Sequence, residues 1–208
     1  MRKLLLGLRL PGRFPEGQRG PVAQQALFFC ALLGLLLRPM PLLAAPCPLS
    51  GVAEYIASHS RPPQSGRTSE RIAASLISAS RRTGLPLYLL VAIAEQESAF
   101  NPMAVNRDSG DYGLFQVHYA FWKAHLARRS PWGLREIRRS DLLNIDLNVR
   151  AAGLILSHDL RLSGGDAVSM LGRWSGRVGK AHKRYVEGVL EKGMAFLGGL
   201  RRRGVSCQ

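Results

Sequence analysis

Two glutamates near the end of one predicted helix are the first candidates for chemistry in this chain of 208 residues. Pro86 suits the first turn of a helix that runs to about Ser98, and a rotation of about 100° per residue places Glu95 and Glu97 on different faces of it. Apolar residues precede Glu97, and Phe100 follows shortly after it. A carboxyl lodged against such groups has its pKa raised by desolvation, so it can give a proton to a glycosidic oxygen near neutral pH. By position alone, the alternative is an ordinary surface residue at a helix end.

The elements that must position this carboxyl are almost all helical. Gly and Pro breaks separate apolar residues with a helical period, and Thr68 or Ser69 is the expected cap of the first helix. Gly84 is expected to end that helix, Asn101-Pro102 to stop the next one, and Asp166 to cap a later one. The polar, turn-rich stretch at 101–118 predicts a short strand or hairpin. The fold class is therefore mainly α with a small β-hairpin region. Helices are expected at about 68–82, 86–98, 119–127, 133–139, 146–162, 166–173 and 179–200.

Three segments resemble the motifs of one enzyme family, in that family's order. Residues 94–105 read AEQESAFNPMAV, residues 113–117 read GLFQV, and residues 144–153 read NIDLNVRAAG. Together they resemble the soluble lytic transglycosylase family, whose helix ending in Glu-Ser is followed by a Gly-Leu-Met-Gln turn and later by an Asn-Ile-Arg-Ala-Gly segment. The resemblance covers a motif core of about 68–190.

The resemblance implies a lysozyme-like helical domain with a groove for peptidoglycan glycan strands and no cofactor. It implies cleavage of the β-1,4 bond between N-acetylmuramic acid and N-acetylglucosamine, with formation of 1,6-anhydro ends. Carried over by position, Glu97 is the catalytic acid and base, and Ser98 and Gln116 position the sugar and its acetamido group. Backbone groups of Gly113 and Leu114 are expected to line the floor of the groove. Tyr112, Asp111 and Trp174 are further candidates for binding the substrate.

One stretch departs from the family pattern. The family's Tyr-Asn-x-Gly motif is matched here by LGRWSG, in which Arg173 and Trp174 replace the Tyr and Asn. Trp174 can stack on a sugar face, and Arg173 can orient a carboxylate. The Tyr hydroxyl that usually lies near the catalytic Glu must come from elsewhere, and Tyr112, Tyr119 and Tyr185 are the candidates.

A second carboxylate, Asp111, supports an alternative reaction, hydrolysis of the glycosidic bond. The segment around Asp111 also resembles the strand of c-type lysozymes that carries their second carboxylate. A Glu97 and Asp111 pair roughly 5 Å apart would support a retaining hydrolase that uses water as the final acceptor. An aspartate that merely stabilises a turn is the structural alternative.

The first 45 residues predict a secretory signal peptide. A positively charged segment is followed by the apolar run at 26–37 and then by Ala44 and Ala45. That run is shorter than the roughly 20 residues of a membrane-spanning helix, although an uncleaved anchor is the alternative. The lysozyme-like domain is then expected at 46–208, in the periplasm, with no stable membrane span after processing.

Two cysteines remain after such processing, Cys47 and Cys207, close to the two ends of the domain. An even pair in an exported chain favours a disulfide between them, with two free thiols as the alternative.

The formal net charge of +15 favours an anionic partner, and the bacterial wall is one. No zinc-finger spacing or RNA-binding signature accompanies the basic residues, so nucleic acid is not the expected partner, and the five histidines lack metal-ligand spacing. By family analogy, a secretion, conjugation or pilus complex is a possible partner. A non-catalytic wall-binding assembly component and a basic nucleic-acid-binding protein are the remaining alternatives.

Overall fold

The computed structural model describes residues 48–120, 123 and 137–205, all within one compact unit that spans residues 44–208. Within these residues the architecture is mainly helical, with one small antiparallel sheet, and the expected fold class is confirmed. A 3-10 helix, Arg139–Leu143, lies directly before the α-helix that begins at Ile145. The helices are α1 (Leu49–His59), α2 (Gly66–Thr83), α3 (Leu87–Ser98), α4 (Ile145–Leu162), α5 (Ala167–Ser175) and α6 (Gly179–Arg202).

Side-chain caps and glycines set the ends of these helices. Helix α2 begins earlier than expected because Ser65, rather than Thr68 or Ser69, is its N-cap, and the Ser65 hydroxyl accepts the backbone N–H of Thr68 at 3.2 Å. Gly84 ends α2 with φ at 73°, as the sequence predicts. Asp166 caps α5 by accepting two backbone N–H groups, again as predicted.

Helix α1 was not predicted from the sequence. Its N-cap residue, Pro48, offers no side-chain hydrogen bond, so the usual start signal is missing. The helix is held by its buried face, where Val52, Tyr55 and Ile56 join the core. It packs against α2 and α6 and closes one side of the domain.

Helix α3 lies at the centre of the core and carries the candidate acid at its end. Six consecutive residues, Leu89 to Ala94, are buried, and the helix packs against α2 and α6. A helix that is apolar on all sides must be enclosed by other elements. It ends at Ser98 because Ala99 takes a left-handed conformation, with φ at 49°, before the Asn101-Pro102 pair that was expected to stop it.

The predicted hairpin region is a three-stranded antiparallel sheet of very short strands. Strands β1 (Val105–Asn106), β2 (Asp111–Tyr112) and β3 (Val117–His118) pair in chain order. The register places Asp111 of β2 opposite His118 of β3. Cross-strand partners lie close enough for their side chains to interact, and these two do so.

A buried asparagine ties the turn after β2 to the helical part of the domain. The side-chain amide of Asn148, on α4, donates to the carbonyls of Tyr112 and Leu142, both at 2.8 Å. Its oxygen accepts the backbone N–H of Phe115 at 2.8 Å. Three good partners compensate for burying this polar group, so Asn148 fixes the turn at 113–116 against α4.

Several predictions concern residues outside the described part of the chain. They include the signal peptide at 1–45, Cys47, Cys207, and most of the helices expected at 119–127 and 133–139. The end of the second of these helices was wrong, because residues 137–138 are not helical and Arg138 is extended before the 3-10 helix. None of the helices in the described ranges combines the length and the apolar character that crossing a membrane requires.

Replacing Gly113 by alanine is expected to destabilise the fold by about 3 kcal/mol. Its φ is 75°, and an added Cβ would lie 2.1 Å from the Leu142 carbonyl and 2.4 Å from the Asn148 amide nitrogen. Gly66→Ala is the matched control, since nothing lies within 4 Å of its added Cβ. Urea unfolding of both variants checks the prediction, and equal stability of the two would contradict it.

Candidate active site

The carboxyl of Glu97 receives two hydrogen bonds on one oxygen. The hydroxyl of Tyr185 donates to Oε1 at 2.5 Å, and the indole N–H of Trp174 donates to the same atom at 3.0 Å. An oxygen that accepts from both cannot itself be a donor to either. A proton on this carboxyl therefore lies on Oε2, the oxygen available to give it to another molecule.

Three helices bring these groups together. Glu97 lies in the last turn of α3, Trp174 near the end of α5, and Tyr185 in the first half of α6. Tyr185 is only 3% exposed, so its hydroxyl position is fixed by core packing. The ring of Trp174 packs edge-on against Phe115, with centroids 6.4 Å apart and planes at 88°. The acid is thus oriented by rigid parts of the fold.

Burial raises the pKa of Glu97 above its ordinary value, and this is the dominant effect on the group. The hydrogen bonds from Tyr185 and Trp174 oppose it because they favour the charged form, as does the positive charge of Arg177. The nearby carboxylate of Asp111 acts in the same direction as burial. The net direction is the one that a general acid at neutral pH requires.

Tyr185 remains a hydrogen-bond donor to this carboxyl. Burial raises the pKa of its hydroxyl, and the negative charge of Glu97 raises it further. The guanidinium of Arg177 lies over the Tyr185 ring, 4.7 Å from its centroid. A cation at this distance from a ring face is attracted to it, so Arg177 is held beside the acid.

A cavity of about 380 Å³ opens beside Glu97. It has a wall from the sheet region and a wall from the end of α5 and the segment that follows, so two separate parts of the chain face each other across the acid. A cavity of this size can enclose a sugar unit. Its lining residues are Glu97, Ser109, Asp111, Gln116, His118, Arg173, Trp174, Ser175, Gly176 and Arg177.

Both carboxylate oxygens of Asp111 are occupied by side chains of the sheet region. Ser109 Oγ donates to Oδ2 at 2.5 Å, and His118 Nδ1 lies 3.0 Å from Oδ1. Because a carboxylate only accepts, His118 donates from Nδ1 in this arrangement. Asp111 therefore lies in the cavity with Glu97, but it is tied to its own sheet.

The two polar residues that were predicted to position the sugar make different contacts. Gln116 lines the cavity, and its amide nitrogen donates to the carbonyls of Ala104 and Gly113 at 3.2 and 2.9 Å. Two carbonyl partners fix the orientation of the amide, so its oxygen is the end that remains to accept from a ligand. Ser98 instead donates to the Leu114 carbonyl at 2.7 Å and so joins the end of α3 to the turn.

Three further site predictions fall beside the cavity rather than in its lining, among the residues that the structure describes. The carbonyl of Gly113 accepts from Gln116, and that of Leu114 accepts from Ser98, so both serve the turn itself. Tyr112 packs edge-on against Tyr119, with centroids 6.5 Å apart. Contacts of these three residues with a substrate stay predictions.

The other glutamate of α3 faces away from this site. Tyr55 of α1 donates its hydroxyl to Glu95 Oε2 at 2.8 Å. The two carboxyls thus lie on different faces of α3, as the helical rotation predicts.

Over the ranges 48–120 and 137–205, no group of three or more His, Cys, Asp or Glu side chains is arranged to hold a metal ion.

Part of this site was not predicted from the sequence. The roles of Arg177 and His118 were not predicted, because nothing in their local sequence signals a partner that is distant along the chain. Asn148 lies inside the third motif, so that motif carried a signal for its role. Of the three tyrosines considered for the missing hydroxyl, Tyr185 is the one that contacts Glu97, and Tyr119 donates to the Ile137 carbonyl at 3.1 Å.

A comparison with family models matches residues 75–183, just over half of the chain, to the transglycosylase SLT domain. The match lies within the motif core expected at about 68–190. No curated protein and no solved structure matches the chain.

Replacing Tyr185 by phenylalanine is expected to raise the pKa of Glu97 further. The lost hydrogen bond favours the charged carboxylate, so its removal favours the protonated form. A carbon-13 NMR titration of the labelled Glu97 carboxyl measures this pKa. Tyr88→Phe is the control, because it removes the hydroxyl of an exposed ring on α3, the helix that carries Glu97. A fall in the Glu97 pKa in Tyr185→Phe would refute the assignment of this bond.

Proposed function

Since the chain belongs to the transglycosylase SLT domain family, we propose that it is a peptidoglycan lytic transglycosylase in which Glu97 is the single acid and base. Lytic transglycosylase or lysozyme-like action on peptidoglycan follows from the family in general terms. The specific proposal rests on the Glu97 carboxyl. One of its oxygens accepts hydrogen bonds from Tyr185 and Trp174, and burial raises its pKa.

The first step breaks the bond between C1 of N-acetylmuramic acid and the oxygen attached to C4 of N-acetylglucosamine. Glu97 gives its proton to that oxygen, and the N-acetylglucosamine end leaves with a free 4-hydroxyl. The substrate's own acetamido oxygen stabilises the positive charge that develops at C1. The Gln116 amide oxygen is available to accept the acetamido N–H and hold it in place.

The second step uses the same carboxyl as a base. Ionised Glu97 takes the proton of the muramic acid 6-hydroxyl, whose oxygen attacks C1 and closes the 1,6-anhydro ring. Glu97 is then protonated again, and no water is consumed. Tyr185 and Trp174 can stabilise the ionised carboxyl between the two steps, since each donates a hydrogen bond to it.

Asp111 supports the second candidate, a retaining lysozyme-type hydrolase, because it lines the same cavity as Glu97. A nucleophile needs a carboxylate oxygen that can reach the anomeric carbon. Each Asp111 oxygen accepts one hydrogen bond, from Ser109 or His118, which holds the carboxylate against its own sheet. The family match supports the transglycosylase as the first candidate.

Purified sacculi treated with the protein are expected to release 1,6-anhydro-muropeptides. Glu97→Gln should lower their release by about 10³-fold or more, because the amide cannot donate or accept the transferred proton. Mass spectrometry of the soluble products makes the measurement. Glu95→Gln is the matched control, since Glu95 lies on the other face of α3 and contacts Tyr55.

The products distinguish the competing functions. Reducing ends in place of anhydro ends would refute the transglycosylase and assign the nucleophile to Asp111. Unchanged release by Glu97→Gln would remove Glu97 from the mechanism. Binding of sacculi without any product would favour a non-catalytic assembly component.

We also propose that the protein acts in the periplasm, where it opens the wall locally for an envelope-spanning machine. The positively charged start of the chain, the short apolar run at 26–37 and the net charge of +15 support export toward an anionic wall. A secretion, conjugation or pilus complex is the partner that the family resemblance favours.

Fractionation of cells that produce the full chain tests this location. The protein is expected in the periplasmic fraction, with an N-terminus near residues 45–47 after processing, as measured by intact mass. A full-length protein in the cytoplasmic fraction would overturn export, and a full-length protein in the membrane fraction would indicate an uncleaved anchor.

A further inference from the structure

A second, smaller cavity lies next to the residues that hold the acid. Its volume is about 220 Å³, and it shares Arg177 with the cavity beside Glu97. Tyr185, whose hydroxyl bonds to Glu97, forms part of its lining. The lining residues are Gln96, Arg177, Ala181, Arg184 and Tyr185.

The lining of this cavity is positively charged. Two arginines, Arg177 and Arg184, line it, and no acidic residue is among the described residues of the lining. None of the ion pairs within the described ranges involves either arginine. Because Arg177 is held over the Tyr185 ring, its charge is fixed in position rather than spread over many side-chain conformations.

A glycine leaves room for the polar wall of the cavity. An added Cβ at Gly188 of α6 would lie 3.0 Å from Oε1 of Gln96, so the glycine lets the Gln96 amide pack against α6. Gln96 directly precedes Glu97 in the chain. The second cavity is therefore lined by the chain neighbour of the acid, Gln96, and by its hydrogen-bond donor, Tyr185.

We propose that this second cavity binds a carboxylate of the peptide stem on the muramic acid residue that is being cleaved, which rests on the proposed function. Guanidinium groups bind carboxylates through paired N–H donors, and two of them around one opening suit a single carboxylate. The stem begins at the lactyl group of muramic acid, the sugar whose C1 must lie at Glu97. Its carboxylates are the anions that the substrate itself brings to this wall.

Occupation of the cavity would also affect the acid. The positive charge of Arg177 lowers the pKa of Glu97, in opposition to burial. A bound carboxylate would offset that charge and favour the protonated acid. The protein is then selective for glycan strands that carry peptides over strands from which the peptides have been removed.

Cleavage of two matched substrates tests the proposal. Uncrosslinked glycan strands with intact stem peptides are compared with the same strands after amidase treatment. The values of kcat and KM are measured from the number of new chain ends, whether these are 1,6-anhydro ends or reducing ends. Arg184→Gln is the variant, since Arg184 makes no contact with Glu97. Arg201→Gln, an exposed arginine at the other end of α6, is the matched control.

Arg184→Gln is expected to raise KM three- to tenfold on the peptide-bearing strands and to leave the amidase-treated strands unaffected. Arg201→Gln should behave as wild type on both. An equal loss on both substrates would overturn the proposal, since Arg184 would then act on the fold or on the sugar. Wild-type rates for Arg184→Gln on both substrates would overturn it too.

A binding measurement separates this proposal from the proposed function. A soluble disaccharide-pentapeptide is titrated into the wild type and into Arg184→Gln, beside the peptide-free disaccharide. If the wild type cleaves neither strand but binds the pentapeptide form at least threefold more tightly than Arg184→Gln does, the enzyme assignment fails and the carboxylate site stands. Equal binding of the pentapeptide form by both proteins would overturn the site.

Discussion

A carboxyl group held largely out of water at the end of α3 is the constraint on which the rest of the site depends. The apolar residues of α3 must be enclosed, and enclosing them carries Glu97 into the wall between α5 and α6. An ionised carboxylate there loses hydration, so hydrogen-bond donors from the protein are needed to offset the free energy of desolvation. Tyr185 and Trp174 supply them on a single oxygen. The site thus holds a carboxyl that can exist in both protonation states, which a residue acting first as acid and then as base requires.

The opposite wall of the cavity comes from the sheet region, and side-chain hydrogen bonds from two helices hold it in place. The strands are only two residues long, so their ladder alone cannot fix the turn that follows them. Asn148 holds the turn from α4 with three hydrogen bonds, and Ser98 holds it from the end of α3. Gly113 lets the backbone come close enough for these bonds to form. Because Ser98 follows Glu97 directly, the acid and the wall that faces it are linked through one short segment.

Charge is distributed unevenly around this pair of walls. Asp111 is bonded within the sheet, whereas Arg177 lies between two cavities and is fixed over an aromatic ring. The net charge of +15 is a property of the whole chain and by itself selects no ligand. Two of these positive charges, those of Arg177 and Arg184, belong to the lining of one cavity near Glu97. Under the proposal made above, they distinguish substrates that differ only in the anions attached to the sugar.

The sequence by itself determined the helical class and the helix boundaries at Gly84 and Asp166, and it singled out Glu97 as the candidate acid, because caps, breakers and short motifs are local signals. It did not predict α1, whose start at Pro48 has no side-chain cap and whose stability comes from contacts with distant helices. It left three tyrosines as candidates for the missing hydroxyl. Only the tertiary structure chose Tyr185, which is 88 residues from Glu97 along the chain. That choice depends on how α6 packs against α3, and the packing of two helices is decided by the whole core rather than by any local segment.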